Sequence, residues 1–194
     1  MTTGETQSLI LDTATVLFNE HGVAAVSVNR IADAAGISRG NLHYHFPTKK
    51  DLIAAIFARM ADEMEQSAVH DLDTPTLDHV HAMFERYVAR VWKHRFFFRE
   101  LTALTNRDPV LRKRYHATRE RRLAELLKFF KELVARGIMD EPTPPVTIAE
   151  LVTSSWIICD NWLAFVEAGG DPVTPDRLQE GYDLVMCLFR PYIR

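Results

Sequence analysis

The sequence is poor in cysteine, and this excludes one way of building a small protein. The chain of 194 residues has two cysteines, Cys159 and Cys187, and neither has a second ligand at metal-binding spacing. Both lie in apolar segments, so we expect two buried free thiols in a reducing compartment, the cytoplasm. A disulfide scaffold is excluded, and neither a metal nor another cofactor is predicted.

Long uninterrupted apolar runs are also absent. The apolar groups of 9–18 are broken by Asp12, and no basic segment precedes them as in a signal peptide. The longest apolar stretch, 148–166, contains Glu150 and Asp160, which a membrane span would rarely tolerate at its centre. We therefore predict a buried helix at 148–166 and no membrane partner.

Neither sign of charge dominates the chain. There are 23 Lys and Arg against 26 Asp and Glu, a net charge of −3, which excludes a polycationic DNA-coating protein. The charges are unevenly placed, because 86–136 carry 15 basic and 5 acidic residues while 1–50 carry four of each. The basic excess either pairs with acidic helices of the same bundle or faces a pocket that attracts an anionic, partly apolar small molecule.

Alternating patterns typical of β-strands are missing too. Apolar residues recur at spacings of three and four through almost the whole chain, so the fold is predicted to be all-α with about nine helices. Apolar residues make up 47% of the chain, which suffices for a buried core. We expect an N-terminal three-helix domain at 1–50 and a larger helical bundle at 51–194, with a long helix from Lys49 to about Val69 across the boundary.

Two short helices near the N-terminus form the most informative pattern. Ser27 and Ser38 stand where their hydroxyls would cap the free amides of these helices, and Gly36 separates the two. Pro47 ends the second helix because its ring cannot continue the backbone ladder. This arrangement is typical of a helix-turn-helix, whose second helix enters the DNA major groove.

The residues of this segment make the interpretation more specific. Residues 27–52 read SVNRIADAAGISRGNLHYHFPTKKDL and are preceded by Leu17, Phe18 and Gly22. This stretch resembles the DNA-binding domain of the TetR/AcrR family of bacterial transcriptional regulators, densely over residues 10–53. The resemblance implies a homodimeric regulator, which we expect to be a repressor, with a palindromic double-stranded DNA operator and a small-molecule effector bound inside the C-terminal bundle.

Several side chains of the segment suit contacts with DNA. Arg39 can pair with guanine through two hydrogen bonds, Asn41 suits adenine or a phosphate, and Gly40 allows close approach of the backbone. The resemblance adds a phosphate contact for Lys49 and backbone contacts near the start of the first short helix, and His43 stands where the family commonly has a tyrosine. The predicted DNA-contacting residues are Ser27, Asn29, Ser38, Arg39, Gly40, Asn41, His43, Tyr44, His45 and Lys49.

The C-terminal part offers two further sets of candidates. Asp160 lies among apolar residues and, if buried, needs a partner, either a ligand or an arginine of the basic segment. The predicted ligand-binding residues are Tyr87, Trp92, His94, Thr105, Tyr115, Trp156 and Asp160. Two strongly apolar helices at the chain end predict an interface between subunits, and its expected residues are Trp162, Phe165, Val166, Tyr182, Val185, Met186 and Phe189.

Two other classes of function are alternatives to the regulator. In the first, the chain is a helical ligand-binding or protein-interaction module and the helix-turn-helix is only a packing motif. In the second it is an all-α enzyme, but the sequence has no nucleophile elbow, glycine-rich phosphate loop or zinc-protease motif. His79 and His81 point to different sides of a helix and do not form a metal pair. We therefore predict that the chain is not an enzyme.

Overall fold

The computed structural model describes residues 2–66 and 75–194. The chain divides into two compact units, and each is described by itself. The first unit comprises Met1–Gln66 with Lys93–Phe97, and the second comprises Ser67–Trp92 with Phe98–Arg194. Among the helices in the described ranges, none is long and apolar enough to cross a membrane.

The fold is all-α, as the sequence predicted. Nine α-helices lie in the described ranges, followed by a short 3-10 helix at Arg190–Tyr192. The α-helices are α1 Thr3–Ala25, α2 Val28–Ala34, α3 Arg39–His45, α4 Lys49–Gln66, α5 Leu77–Lys93, α6 Arg95–Arg107, α7 Pro109–Ala135, α8 Ile148–Ala168 and α9 Pro175–Phe189. The predicted end of the fourth helix, at about Val69, lies outside the described residues.

Side-chain caps begin the short helices where the sequence placed them. The Ser27 Oγ accepts a hydrogen bond from the Arg30 backbone N–H at 3.1 Å, and the Ser38 Oγ accepts one from the Asn41 N–H at 3.1 Å. Between the two helices, Gly36 has a φ of +66°, a conformation that costs a side-chain-bearing residue steric strain. These local interactions set the turn of the helix-turn-helix.

The first unit is built around the apolar face of α1. Ile10, Phe18, Ile31 and Leu42, from α1, α2 and α3, are fully buried, and the Phe18 ring lies 5.2 Å from that of Phe96. Burial of such side chains contributes about 1.5–3 kcal/mol each. The two short helices are therefore held by tertiary packing, because helices of seven residues are not stable alone.

A buried amide joins the α5–α6 junction to the first unit. The Asn19 Nδ2 donates to the Lys93 carbonyl oxygen at 2.8 Å, and the Phe96 backbone N–H donates to the Asn19 Oδ1 at 3.0 Å. The first unit consequently extends beyond the predicted domain of residues 1–50. It includes the whole of α4, whose Leu52 and Ile56 are fully buried.

The second unit has its own core, formed by α7, α8, α9 and the segment after α7. Its buried residues are Phe129, Phe130, Leu133, Met139, Ile148, Leu151, Val152 and Phe189. The rings of Phe130 and Phe189 are stacked with centroids 4.4 Å apart. Cys187 is exposed, so the expectation that both thiols are buried was wrong for this one. Residue 187 lies on the face of α9 opposite the buried residues Leu178, Gly181 and Phe189.

Close packing of α8 on α9 depends on a glycine. A Cβ atom added at Gly181 would lie 2.6 Å from the Cδ1 atom of Trp162, well inside van der Waals contact. The Trp162 indole N–H also donates to the backbone carbonyl of Arg177. The ring is therefore held from two sides and has little freedom to move away.

We expect Gly181→Ala to destabilise the protein by about 1–3 kcal/mol, because the added methyl group forces Trp162 from its position. Chemical denaturation followed by tryptophan fluorescence measures the change. The matched control is Gly4→Ala, since a Cβ at Gly4 meets nothing within 4 Å and alanine favours the helix. Equal stability of Gly181→Ala and the wild type would contradict the packing argument.

Candidate DNA-binding and effector-binding sites

Helix α3 presents most of its surface to solvent. Leu42 is its single buried residue, and it anchors the helix to the first unit. Tyr44, the penultimate residue of the helix, is 79% exposed. Of the predicted DNA contacts, those exposed are Ser27, Asn29, Ser38, Arg39, Gly40, Asn41, His43 and Tyr44, while His45 and Lys49 are half-buried.

The first turn of α3 contains a cationic side chain, Arg39, next to a glycine, Gly40. The Arg39 guanidinium lies 4.0 Å from the Asp33 carboxylate, and both side chains are exposed, so this pair contributes little to stability. A Cβ at Gly40 would meet only the Ser38 Oγ, at 4.0 Å. The fold therefore leaves room for a side chain at residue 40, and the glycine has no packing role within the chain.

Two of the predicted DNA-contacting residues, His43 and Lys49, have partners within the first unit. The His43 Nδ1 lies 3.1 Å from the carbonyl oxygen of Pro47. Because a carbonyl only accepts, this geometry places the proton on Nδ1. The Lys49 ammonium donates to the Val23 carbonyl at 2.7 Å and so ties the start of α4 to the end of α1. Lys49 thus has a structural role that the sequence analysis missed, and its phosphate contact stays a prediction.

The second unit contains a buried carboxylate with aromatic partners. Asp160 of α8 is 8% exposed. Its Oδ2 accepts a hydrogen bond from the indole N–H of Trp156 at 2.7 Å and another from the hydroxyl of Tyr115 on α7. On the same turn, the Cys159 carbonyl accepts from the Tyr87 hydroxyl at 2.7 Å. Polar atoms from α5, α7 and α8 therefore meet at one point.

Burial changes the ionisation of this cluster. Loss of hydration raises the pKa of Asp160 to about 6, although the hydrogen bonds from Tyr115 and Trp156 and the charge of Arg119 act in the opposite direction. Burial and the nearby Asp160 charge also raise the pKa of Tyr115. At neutral pH the carboxylate is mostly ionised and both phenols remain donors.

Comparisons with known proteins assign the chain to a family. A sequence profile described as "Bacterial transcriptional repressor" matches residues 59–194, and the profile of the N-terminal domain of "Bacterial regulatory proteins, tetR family" matches residues 10–56. Together they include both units. The chain belongs to the TetR family of bacterial transcriptional regulators.

Individual relatives agree with this assignment. The regulator is 31% identical to a TetR-family structure from Marinobacter aquaeolei VT8, with a TM-score of 0.87 and coverage of 100% of this chain and 92% of the other. A regulator from Saccharomonospora viridis, solved in complex with choline, is 20% identical with a TM-score of 0.75 and coverage of 99% and 100%. The first structure resembles this chain in both sequence and fold. The second is less similar in sequence, so it shows a likeness of fold alone.

The match to AcrR of Shigella flexneri is shorter. It has 39% identity over 69 residues, 36% of this chain but 30% of AcrR. The chain therefore matches less than a third of that relative, within the length of a helix-turn-helix domain. The N-terminal family profile covers the helix-turn-helix and supports a DNA-binding regulator, in preference to the alternative in which this motif only packs.

The structure separates the predicted ligand-binding residues. Tyr87, Tyr115, Trp156 and Asp160 meet around one turn of α8 in the second unit, as described above, and Trp92 of the same unit is half-buried. The Thr105 hydroxyl donates to the Leu101 carbonyl of its own helix at 2.8 Å, a common use of threonine in a helix. Tyr87, Tyr115 and Trp156 therefore lie together around Asp160, whereas the Thr105 hydroxyl is bonded within its own helix.

His94 belongs to the first unit instead. It is fully buried, and its Nε2 lies 3.8 Å from the Glu63 carboxylate of α4. His94 was predicted to be a ligand-binding residue of the C-terminal bundle, together with Tyr87 and Trp92. The Asn19 bonds to residues 93 and 96 explain the difference, since they bind this short segment to α1.

Two predicted interface residues prove to be core residues of the single chain. Val166 and Phe189 are buried within the second unit, and Phe189 stacks on Phe130, so neither offers surface to a partner. Tyr182 is half-buried, stacks on Phe84 and contacts His81. Trp162, Val185 and Met186 are half-buried as well. The exposed large apolar side chains of α8 and α9 are Ile157, Phe165 and Leu184.

The basic residues of 86–136 lie largely at the surface. Arg112, Lys113 and Arg114 are exposed, and several other arginines pair with glutamates. These pairs are Arg99–Glu167, Arg119–Glu120, Arg121–Glu125, Arg122–Glu125 and Arg136–Glu132. Of these pairs, only Arg99–Glu167 joins two helices, α6 and α8, and the other four lie along α7. The basic excess therefore lies mainly at the surface and in local pairs, which does not favour a basic pocket.

Two other kinds of site are poorly supported in the described part of the chain. No group of three or more His, Cys, Asp or Glu side chains there could hold a metal ion. A groove of about 640 Å³ lies beside α7 and the start of α8, lined by Leu127, Lys131 and residues 141–144 and 146–149. None of the predicted ligand-binding residues lines it.

Asp160→Asn should stabilise the regulator by about 1–3 kcal/mol at pH 7. Because the folded-state pKa of about 6 lies above the ordinary 3.8, the wild type loses stability as the pH rises from about 4 to about 6. The variant has no such loss, so the difference between the two grows over this interval and is small below pH 4.

Chemical denaturation at several pH values tests this expectation. Asp183→Asn, which removes an exposed carboxylate of α9, controls for the general loss of a negative charge. A stability difference between Asp160→Asn and the wild type that does not vary between pH 4 and pH 7 would show that the Asp160 charge is not the cause.

Proposed function

We propose that this regulator is a homodimeric repressor that binds a palindromic operator through α3 and is released when a small molecule occupies the second unit. The exposed first turn of α3 carries this proposal, because Gly40 has no packing role and sits between Arg39 and Asn41. Absence of a side chain there allows the backbone to approach DNA closely. Arg39 and Asn41 then reach base edges in the major groove. Such a repressor acts in the cytoplasm, beside the bacterial chromosome.

The small number of basic residues in the N-terminal segment supports a dimer. Residues 1–50 carry four basic and four acidic residues, so one copy neutralises only a few phosphates. Each phosphate contact adds a salt-dependent increment to affinity, and two copies double the number of contacts. A two-fold dimer would place its two α3 helices about 34–36 Å apart, one turn of DNA, or a multiple of it.

Exposed apolar side chains on α8 and α9 provide a surface for dimerisation. Phe165 is 69% exposed, and Ile157 lies two helical turns before it on the same helix. Leu184 is the corresponding exposed residue of α9, and α8 and α9 pack against each other. The family resemblance implies an interface of two helices from each subunit, and these side chains suit it.

Ligand responsiveness has support from the fold and from chain connectivity. The structural neighbour from Saccharomonospora viridis holds choline, which supports a small-molecule site in this chain. The α5–α6 junction belongs to the first unit while the rest of both helices belongs to the second. An effector that favours one arrangement of α5 and α6 would therefore shift the population of DNA-binding conformations.

Substitutions in α3 test the DNA-binding role. With an operator obtained by selecting bound fragments from a random or genomic pool, we expect Arg39→Ala to weaken binding by about 5- to 150-fold, the equivalent of about 1–3 kcal/mol. Gly40→Ala should weaken binding without loss of stability, since there is room for its Cβ atom. Fluorescence anisotropy with labelled operator measures both effects.

Matched controls separate contact from general effects. Gly4→Ala adds the same methyl group to α1, and Arg112→Ala removes an exposed cation from the second unit. Neither should change operator affinity more than twofold. If Gly40→Ala binds the operator as the wild type does, the role of α3 in this proposal fails.

Phe165→Glu tests the dimer. We expect the variant to be monomeric at micromolar concentration in gel filtration with light scattering, because a buried carboxylate without a partner opposes association. Val110→Glu is the control, since Val110 is also exposed, at 60%, but lies on α7. A Phe165→Glu variant that remains dimeric would exclude this surface as the interface.

A further inference from the structure

The interior of the second unit contains a single deeply buried acidic side chain in the described part of the chain, Asp160. A carboxylate removed from water loses hydration energy, and buried charges in proteins are normally paired with a cation. Two neutral groups, the Tyr115 hydroxyl and the Trp156 indole N–H, donate to it. The buried carboxylate still needs a positive charge beside it.

The regulator's own cations do not complete it. Among the described residues, no lysine, arginine or histidine nitrogen lies within 4.0 Å of the Asp160 carboxylate, and Arg119, the cation that most affects its ionisation, pairs with Glu120 at 3.2 Å. Both donated hydrogen bonds reach Oδ2. In the same described ranges no donor reaches Oδ1, so the hydrogen bonds to this carboxylate are all on one oxygen.

Aromatic rings from three helices lie close to this carboxylate. Tyr115 and Trp156 contact it directly, and Tyr87 bonds to the backbone of the preceding residue, Cys159. The Phe98 ring lies edge-on to the Tyr87 ring, with centroids 6.4 Å apart. Faces of Tyr and Trp rings attract ammonium groups, and proteins use such aromatic groups to bind quaternary ammonium compounds.

We propose that the effector of this regulator is a compound with a cationic head, a protonated amine or a quaternary ammonium, and an apolar body, and that its head pairs with Asp160 among Tyr115, Trp156 and Tyr87. This assignment rests on the proposed ligand-responsive function and names the class of its ligand. An ammonium supplies the missing positive charge, whereas an anionic ligand would be repelled by the carboxylate.

The sign of this ligand is opposite to the one suggested by the charge count of 86–136. The exposed Arg112, Lys113 and Arg114 give that segment its excess, but they lie on the surface. Exposed charges act on a ligand through water and salt, which screen them over about 10 Å. A buried carboxylate acts in a region of low dielectric constant, where its effect is stronger.

Binding of matched probes to the full chain tests the proposal. The probes are benzyltrimethylammonium, its uncharged carbon isostere neopentylbenzene, and the anion 3-phenylpropanoate, measured by isothermal titration calorimetry and thermal shift in the same solvent. We expect the cation to bind at least tenfold more tightly than the isostere and the anion not to bind. Asp160→Asn should weaken binding of the cation at least tenfold and leave the isostere unchanged.

Asp183→Asn is the matched control, because it removes an exposed carboxylate of the same unit and should bind the cation as the wild type does. Circular dichroism confirms that Asp160→Asn is folded. Equal binding of the cation by Asp160→Asn and the wild type, or tighter binding of the anion or the isostere, would overturn the assignment.

Operator binding, measured on the same samples, separates this proposal from the proposed function. A regulator that binds a selected operator and releases it with 3-phenylpropanoate but not with the cation would keep the repressor function and lose the cationic effector. If no DNA sequence is enriched in the selection, the repressor function fails, and calorimetry with Asp160→Asn still decides whether Asp160 binds the cation.

Discussion

The hydrogen bonds of one side chain, Asn19, determine how the chain is divided. Its amide donates to the Lys93 carbonyl and accepts from the Phe96 N–H, so both polar groups of a buried side chain are satisfied at once. Because leaving either unpaired would cost about 1–3 kcal/mol, the junction of α5 and α6 is bound firmly to α1. A segment that lies between two helices of the second unit thereby becomes part of the DNA-binding unit, beside Phe18.

The helix-turn-helix was readable from the sequence because its determinants are local. A serine three residues before the amide that it caps, as Ser38 is before Asn41, can be recognised without knowing the rest of the fold. The same holds for Gly36, whose positive φ follows from the turn itself. The family resemblance rests on the same short segment, so the DNA-binding role could be predicted from about fifty residues. The all-α fold class followed from the apolar spacing along almost the whole chain.

The C-terminal predictions agree less well with the structure, because periodicity identifies an apolar stripe but not the surface that covers it. Phe189 and Val166 lie on such stripes and were assigned to a subunit interface, whereas Phe130 and other residues of the same chain cover them. His94 was misplaced for the related reason that the Asn19 contact spans more than seventy residues. Asp160 was predicted to need a ligand or an arginine if buried, since a carboxylate in an apolar helix is a signal in itself. The structure shows it buried, with Tyr115 and Trp156 as donors.

Charge also shows why counting residues is a weak guide to a ligand. The fifteen basic residues of 86–136 outnumber the acidic ones threefold, yet the pairs they form at the surface, such as Arg136 with Glu132, are each worth at most about 1 kcal/mol. One carboxylate at 8% exposure outweighs them inside the second unit, because burial strengthens its field and removes the water that would screen it. The sign of a ligand therefore follows from the depth at which each charge lies, and depth depends on tertiary packing that composition does not record.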